Sequence, residues 1–271
     1  MLVAALGIFH DNYGSPLKRS LTECIRRNKL NFDHVVIHAN DTSQVYGLKE
    51  ILVDAGIPYE PSWGKKSKGF QISNIWIGNQ YFEIVDILHS ENQWQPNWAK
   101  RHADGDRGSY CIFLKTTLPV DEVYQRLKAA GFSISEPERT SFKWFFKLFQ
   151  KKLPWRFSLT SKIPGTEIEL GFIEYDKGAE SKFAPFMVPN SSENGINSIS
   201  QAKVLSTKLD LARAWLGKAQ EALGEPISLS VGEKTEDVAL LLEVEVTEDV
   251  EFSAVSVFDV LLQPKSVNKP F

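Results

Sequence analysis

The sequence predicts an α+β fold of repeated βαββ modules, with helices on one face of a curved, mostly antiparallel sheet and a cleft on the other. Three observations predict it. Strand, helix and hairpin patterns follow one another in the same order twice, the two copies share their spacing, and a partial third copy follows a linker at 189–197.

Residues 32–38 (FDHVVIH) are β-branched and apolar and read as the first strand. Asp41 or Thr42 then offers an N-cap, Val45, Leu48, Ile51, Leu52 and Ala55 follow the helical period, and Gly56 closes the helix. Strands over 71–77 and 81–88 flank Gly78 and Asn79, a two-residue hairpin turn. The order restarts at Ser109 with the strand SYCIFLKT, a helix over 120–130 that turns Val123 and Leu127 inward, and Gly131 as its cap. His34 to Gly56 and Ser109 to Gly131 both span 22 positions (56 less 34, 131 less 109), so the copies align without a gap. Strands over 155–160 and 167–175 complete the second copy after a long aromatic and basic insertion.

The third copy has a strand over 200–206, a helix over 209–223 capped by Gly224, and strands within 227–231, 238–246 and 252–262. The chain therefore divides into an extension without clear periodicity over 1–30, a two-module domain over 31–180 and a third module over 198–265. A βαββ unit exposes an apolar sheet face that it cannot bury alone, so paired modules and a concave cleft follow.

With 271 residues, 42% of them hydrophobic and 24% charged, the composition is that of a soluble globular protein. A net charge of -3 provides no broad basic face for nucleic acid and favours a small-molecule partner. The two cysteines, Cys24 and Cys111, make no disulfide framework and suit a reducing, cytoplasmic setting. No apolar run approaches the roughly 20 residues that span a bilayer. No GxGxxG, P-loop, HExxH or GxSxG pattern occurs, which leaves dinucleotide oxidoreduction, nucleotide hydrolysis and serine hydrolysis without support.

Five strings carry a family resemblance: FDHVVIHAND at 32–41, GFQISNIWIGNQYFEIVDI at 69–87, PNWAKRHADGDRGSYCIFLKT at 96–116, PWRFSL at 154–159 and GFIEYD at 171–176. From residue 32 to about 262 the chain resembles the glyoxalase-like proteins of the vicinal-oxygen-chelate superfamily. That resemblance implies a cleft in which His and Glu residues on the first and last strands of each module hold a divalent metal. The corresponding positions are His34, Glu83, Ser109 and Glu174. Ser109 departs from the pattern, leaving His34, Glu83 and Glu174 as a three-ligand set suited to Fe, Mn, Ni or Zn. Glu83 is also the candidate catalytic base, and Asn74, Trp98, Ser109 and Arg156 form the candidate substrate-binding set.

The superfamily spans glyoxalase I, ring-cleaving dioxygenases, epimerases and drug-binding resistance proteins, and fold alone does not select among them. Three readings stay open. One is a metal-dependent lyase, isomerase or dioxygenase, and another is a metal-free protein that binds or sequesters a small molecule. The third is an interaction module using 142–152 (FKWFFKLFQKK), whose Lys143, Lys147 and Lys151 recur every four residues. That run suits a packed insertion, a lid, a homodimer contact or a helix on a membrane surface, the first two being favoured. The plainer account of the metal set has His34 hydrogen-bonded on a sheet face and Glu83 paired with a basic neighbour. His38, His89 and His102 read as solvated histidines at strand ends or in loops.

Overall fold

The computed structural model describes residues 30–61, 70–88, 96–144 and 149–265, and nearly all of the expected N-terminal extension, with His89, lies outside the described residues. The first module runs β1 (Asn31–His38), α1 (Thr42–Asp54), β2 (Phe70–Ile77), β3 (Gln80–Ile87). Asp41 caps α1 by accepting from the backbone of Ser43 and Gln44, and Gly56, at φ 82°, supplies the left-handed turn beyond its last residue. After α2 (Pro96–Ala103), the second module runs β4 (Gly108–Lys115), α3 (Val120–Ala129), a short hairpin β5 (Ser141–Trp144) and β6 (Phe149–Lys152), then β7 (Trp155–Lys162) and β8 (Glu169–Tyr175). Of the run expected as a packed insertion or a lid, the described ends, 142–144 and 149–152, are paired antiparallel strands, and Lys147 lies outside the described residues.

Apart from β5 and β6, which pair only with each other, these strands form one mixed sheet, ordered β2-β3-β1-β4-β8-β7. β1 and β4 meet antiparallel at its centre, while β1–β3 and β4–β8 run parallel, so the two modules are related by an approximate two-fold through the β1–β4 seam. A short helix α4 (Ala179–Phe183) and two 3-10 turns lead to β9 (Ile196–Ser206), α5 (Leu209–Leu223), β10 (Leu229–Glu233), β11 (Leu240–Val246), β12 (Val255–Val257) and β13 (Val260–Pro264). The second sheet is ordered β10-β9-β11-β13-β12 and repeats the first from β3 to β7 with the same alternation of parallel and antiparallel pairs. The expected third copy is thus a reduced unit β9-α5-β10, and β11-β12-β13 repeat the strand pattern of the second module without its helix.

One apolar core joins the halves. Ile37, Ile75, Phe82, Ile112 and Phe172 on the helix-facing side of the first sheet pack with Leu52 and Leu127 of α1 and α3 and with Ala202, Leu216, Leu240 and Val257 of the second half. At the seam, Asp259 in the β12–β13 turn accepts from the backbone N–H of Ser109 at 3.0 Å and from its hydroxyl at 2.8 Å. Gly108 precedes that contact at φ 83°, and a Cβ there would sit 2.6 Å from the Asp259 carboxylate, so only glycine fits. Gln80 ties the sheets a second time, its amide donating to the carbonyls of Phe32 and Ile199.

Candidate functional site

The opposite face of the first sheet is also buried, but around a hollow. Alternation along each strand places Phe70, Ile72, Asn74 and Trp76 of β2, Tyr81 and Glu83 of β3, His34 and Val36 of β1, Phe113 of β4, Ile173 and Tyr175 of β8 and Trp155 and Phe157 of β7 on the walls of one cavity of about 970 Å³. Trp98 of α2 and Phe183, Phe186 and Met187, from α4 and the following turn, complete the lining.

Two β-bulges on the central seam shape the floor. Across β1 and β4 the register steps from Phe32–Leu114 to His34–Phe113, leaving Asp33 as the extra residue. Sequence neighbours on a regular strand point to opposite faces, whereas here Asp33 and His34 both line the cavity and their side chains meet, with Nδ1 of His34 2.5 Å from Oδ1 of Asp33. The hydroxyl of Tyr175 donates to the same carboxylate oxygen at 2.9 Å. The His34 ring is stacked between Tyr81, with centroids 4.5 Å apart, and Phe113, 4.4 Å apart. Gly171, opposite Phe113 on β8, makes that stack feasible, because a Cβ there would lie 2.5 Å from the Phe113 ring. The imidazole is therefore fixed by an acceptor on one edge and an aromatic ring on each face.

Glu83 differs from its neighbours. It has no hydrogen bond or ion pair among the described residues, and burial pushes its carboxyl above the usual carboxylate range, with His34 pulling it down and Asp33 adding to the rise. Its register partner on β2 is Asn74, whose side-chain oxygen is buried without a hydrogen-bond partner. Burial likewise holds the Tyr81 and Tyr175 phenols far up, so both stay protonated donors.

The second bulge, at Tyr110, lies between the pairs Val36–Cys111 and Ile37–Ser109. It stacks Tyr110 on His38 at 3.7 Å, with the Arg101 guanidinium 3.8 Å from the same tyrosine ring centre and Trp98 edge-on to the histidine. His38 is thus a core residue, 1% exposed, rather than a solvated strand end. Burial drives its pKa well below the ordinary histidine value, with His102, Arg101 and Arg107 adding to the fall.

The structure brings together His34, Glu83, Asn74 and Trp98 of the expected site residues and places three others elsewhere. Glu174 lies on the opposite face of β8 from Ile173 and Tyr175, where Oε2 accepts from the backbone N–H of Val120 at 3.1 Å and caps α3. Ser109 is turned to the seam by the Tyr110 bulge and is held by Asp259. Arg156 forms a bidentate pair with Asp121 at 2.6 and 2.8 Å on the outer side of β7. The three-ligand set is consequently not assembled. Among the described residues no three of His, Cys, Asp and Glu converge as a metal site, and His34 and Glu83 alone do not make one. Sequence reasoning missed Asp33, Tyr81, Phe113 and Tyr175, of which only Asp33, a carboxylate inside an apolar strand, carries a local signal.

No family model matches the chain, and no curated protein matches it. Among solved structures, a hypothetical protein from Staphylococcus aureus covers 87% of this chain and 100% of its own at 13% identity with a TM-score of 0.58, which shows a shared fold. A mutant 4-hydroxymandelate synthase from Streptomyces coelicolor aligns over 82% of this chain and 72% of its own at 9% identity and TM-score 0.49. Methylmalonyl-CoA epimerase from Mycobacterium tuberculosis aligns over 56% of this chain and 91% of its own at 13% identity and TM-score 0.38.

Proposed function

We propose that this chain is a glyoxalase-like protein of the vicinal-oxygen-chelate type that binds a small molecule in the cleft of its first sheet through its own side chains, without a resident metal. The observation that carries this reading is the cavity itself, about 970 Å³ of space walled by aromatic and aliphatic side chains around a few convergent polar groups. Its volume matches a ligand of ordinary drug or metabolite size. The apolar walls would bury the ligand body, and Glu83, Asn74 and the Asp33–His34 pair would orient its polar end.

The metal-dependent lyase, isomerase or dioxygenase reading needs a third protein ligand that Glu174 and Ser109 do not supply. His34 is held at Nδ1 by Asp33 and stacked between two rings, a fixed orientation that a metal ligand and a ligand-binding histidine share, so it is the missing third ligand that speaks against the metal.

The test is a titration of chelator-treated protein with N-phenyl-1-naphthylamine, a neutral probe that brightens in apolar surroundings. One saturable site is expected, unaffected by added divalent ions and lost in Ile72→Trp, which fills the cavity from a half-buried wall position. Binding that survives Ile72→Trp, or that appears only with a divalent ion present, overturns the proposal.

A further inference from the structure

We propose that the ligand is an organic cation, a protonated amine on an apolar or aromatic body, whose ammonium group is received between Glu83 and Asn74. This deepens the binding reading above and rests on it. The first argument is hydrogen-bond polarity. Glu83 and the Asn74 side-chain oxygen face each other across β2 and β3, neither has a partner, and both are acceptors when the carboxyl is ionised. A protonated amine presents only donors and satisfies both at once.

The second argument is charge. Asp33, Glu83 and Glu180 line the cavity, while no lysine or arginine among the described residues does. Glu180 already has Lys115, and Asp33 has His34 and Tyr175. Glu83 is the carboxyl with no hydrogen bond and no lysine or arginine against it among the described residues, only the His34 ring nearby. A carboxylate or phosphate ligand would meet like charge and no cationic clamp, and a neutral one would leave Glu83 uncompensated.

The third is the wall. Trp76, Tyr81 and Phe113 form a row across the floor with His34 set into it, and Trp155, Tyr175 and Phe183 form a second group. Aromatic faces in a desolvated site attract a cation through their quadrupoles, with tryptophan the strongest of them. Acceptors, net charge and aromatic walls thus select the same chemistry.

Calorimetric titration at pH 7 of full-length protein with three probes sharing one aromatic body separates the possibilities: 1-naphthylmethylamine, 1-naphthalenemethanol and 1-naphthoate. The amine is expected to bind at least tenfold tighter than the alcohol, and the naphthoate weakest of all. Glu83→Gln, which keeps shape but removes the charge, is expected to bring the amine down to the level of the alcohol. Equal binding of amine and alcohol, tighter binding of naphthoate, or an amine preference that survives Glu83→Gln overturns the inference while leaving a cleft that binds ligands. If none of the three binds while the neutral naphthylamine probe does, the inference falls and the cleft reading stands; if that probe also fails, the cleft reading falls with it.

Discussion

The two sheets share a strand order but treat their second faces differently. In the six-stranded sheet both faces are buried, one against the common core and the other around the cavity, where Val36, Phe113, Phe157 and Ile173 form a separate apolar cluster. The five-stranded sheet buries only the core side. Its other face carries Gln201, Lys203, Glu243 and Glu245, which reach solvent, and Lys265 pairs with Glu245 across it. Alternating strand residues are a free choice of chemistry once one face is anchored. In this chain one copy of the topology uses that choice for a face that walls a cavity, and the other for a solvated back. Among the described residues the second sheet has no counterpart of β2, the strand that brings Asn74 and Trp76 to the cavity.

The largest test of this contrast is on the shared side. Phe172, fully buried in the joint core, should cost about 3–5 kcal/mol when changed to Ala. Chemical denaturation should remain one transition, because the core runs through both halves. Two separated transitions would mean that the sheets are independent and that the second does not support the first.

A smaller effect belongs to His38, which is held neutral by burial, whereas the unfolded chain takes up its proton below about pH 6.5. The folded state then binds fewer protons than the unfolded one, so stability conferred by neutral His38 is complete above that pH and is lost as pH falls. The expected slope is up to about 1.4 kcal/mol per pH unit below 6.5, measured by denaturant melts, and His38→Phe should flatten it. An unchanged slope in that variant would place the acid sensitivity elsewhere.

The smallest effect has the opposite sign to most substitutions. The Glu83 carboxyl is raised, so its cost to the fold grows as pH rises above 4.5 and is in force at neutral pH. Glu83→Gln should therefore stabilise the unliganded protein at pH 7 by about 1 kcal/mol, as happens when a group kept for function is neutralised. Glu243→Gln, on the solvated face of the second sheet, should move stability by less than about 0.5 kcal/mol. Equal effects at the two positions would erase the distinction between the faces.

Much of the architecture was legible in the residues. Apolar β-branched runs, the caps at Asp41, Gly56, Gly131 and Gly224 and the Gly78–Asn79 turn locate most elements to within two or three residues, but β9 begins four residues before the expected strand, the strand expected within 252–262 is the pair β12 and β13, and α2 is not among the expected elements. The strands at the described ends of the 142–152 run were not legible, since its aromatic and lysine residues alternate closely enough for either period. The site was less legible for a physical reason. β8 is apolar on both faces, with Leu170 and Phe172 to the core and Ile173 to the cavity, so its pattern does not reveal that Tyr175 rather than Glu174 faces inward. Bulges at Asp33 and Tyr110 reset which side chains share a face, and neither leaves a mark in the one-dimensional pattern. Asp33 thereby joins the site while Ser109 leaves it.

The most direct test of whether the cavity works through its own side chains is metal content by mass spectrometry, after supplementation with Fe, Mn, Ni and Zn and removal of loosely held ions. Wild type, His34→Ala and Glu83→Ala are compared. The account predicts well under one equivalent of any ion in wild type and no difference among the three proteins. About one equivalent in wild type, lost in both variants, would contradict it and return the site to metal chemistry.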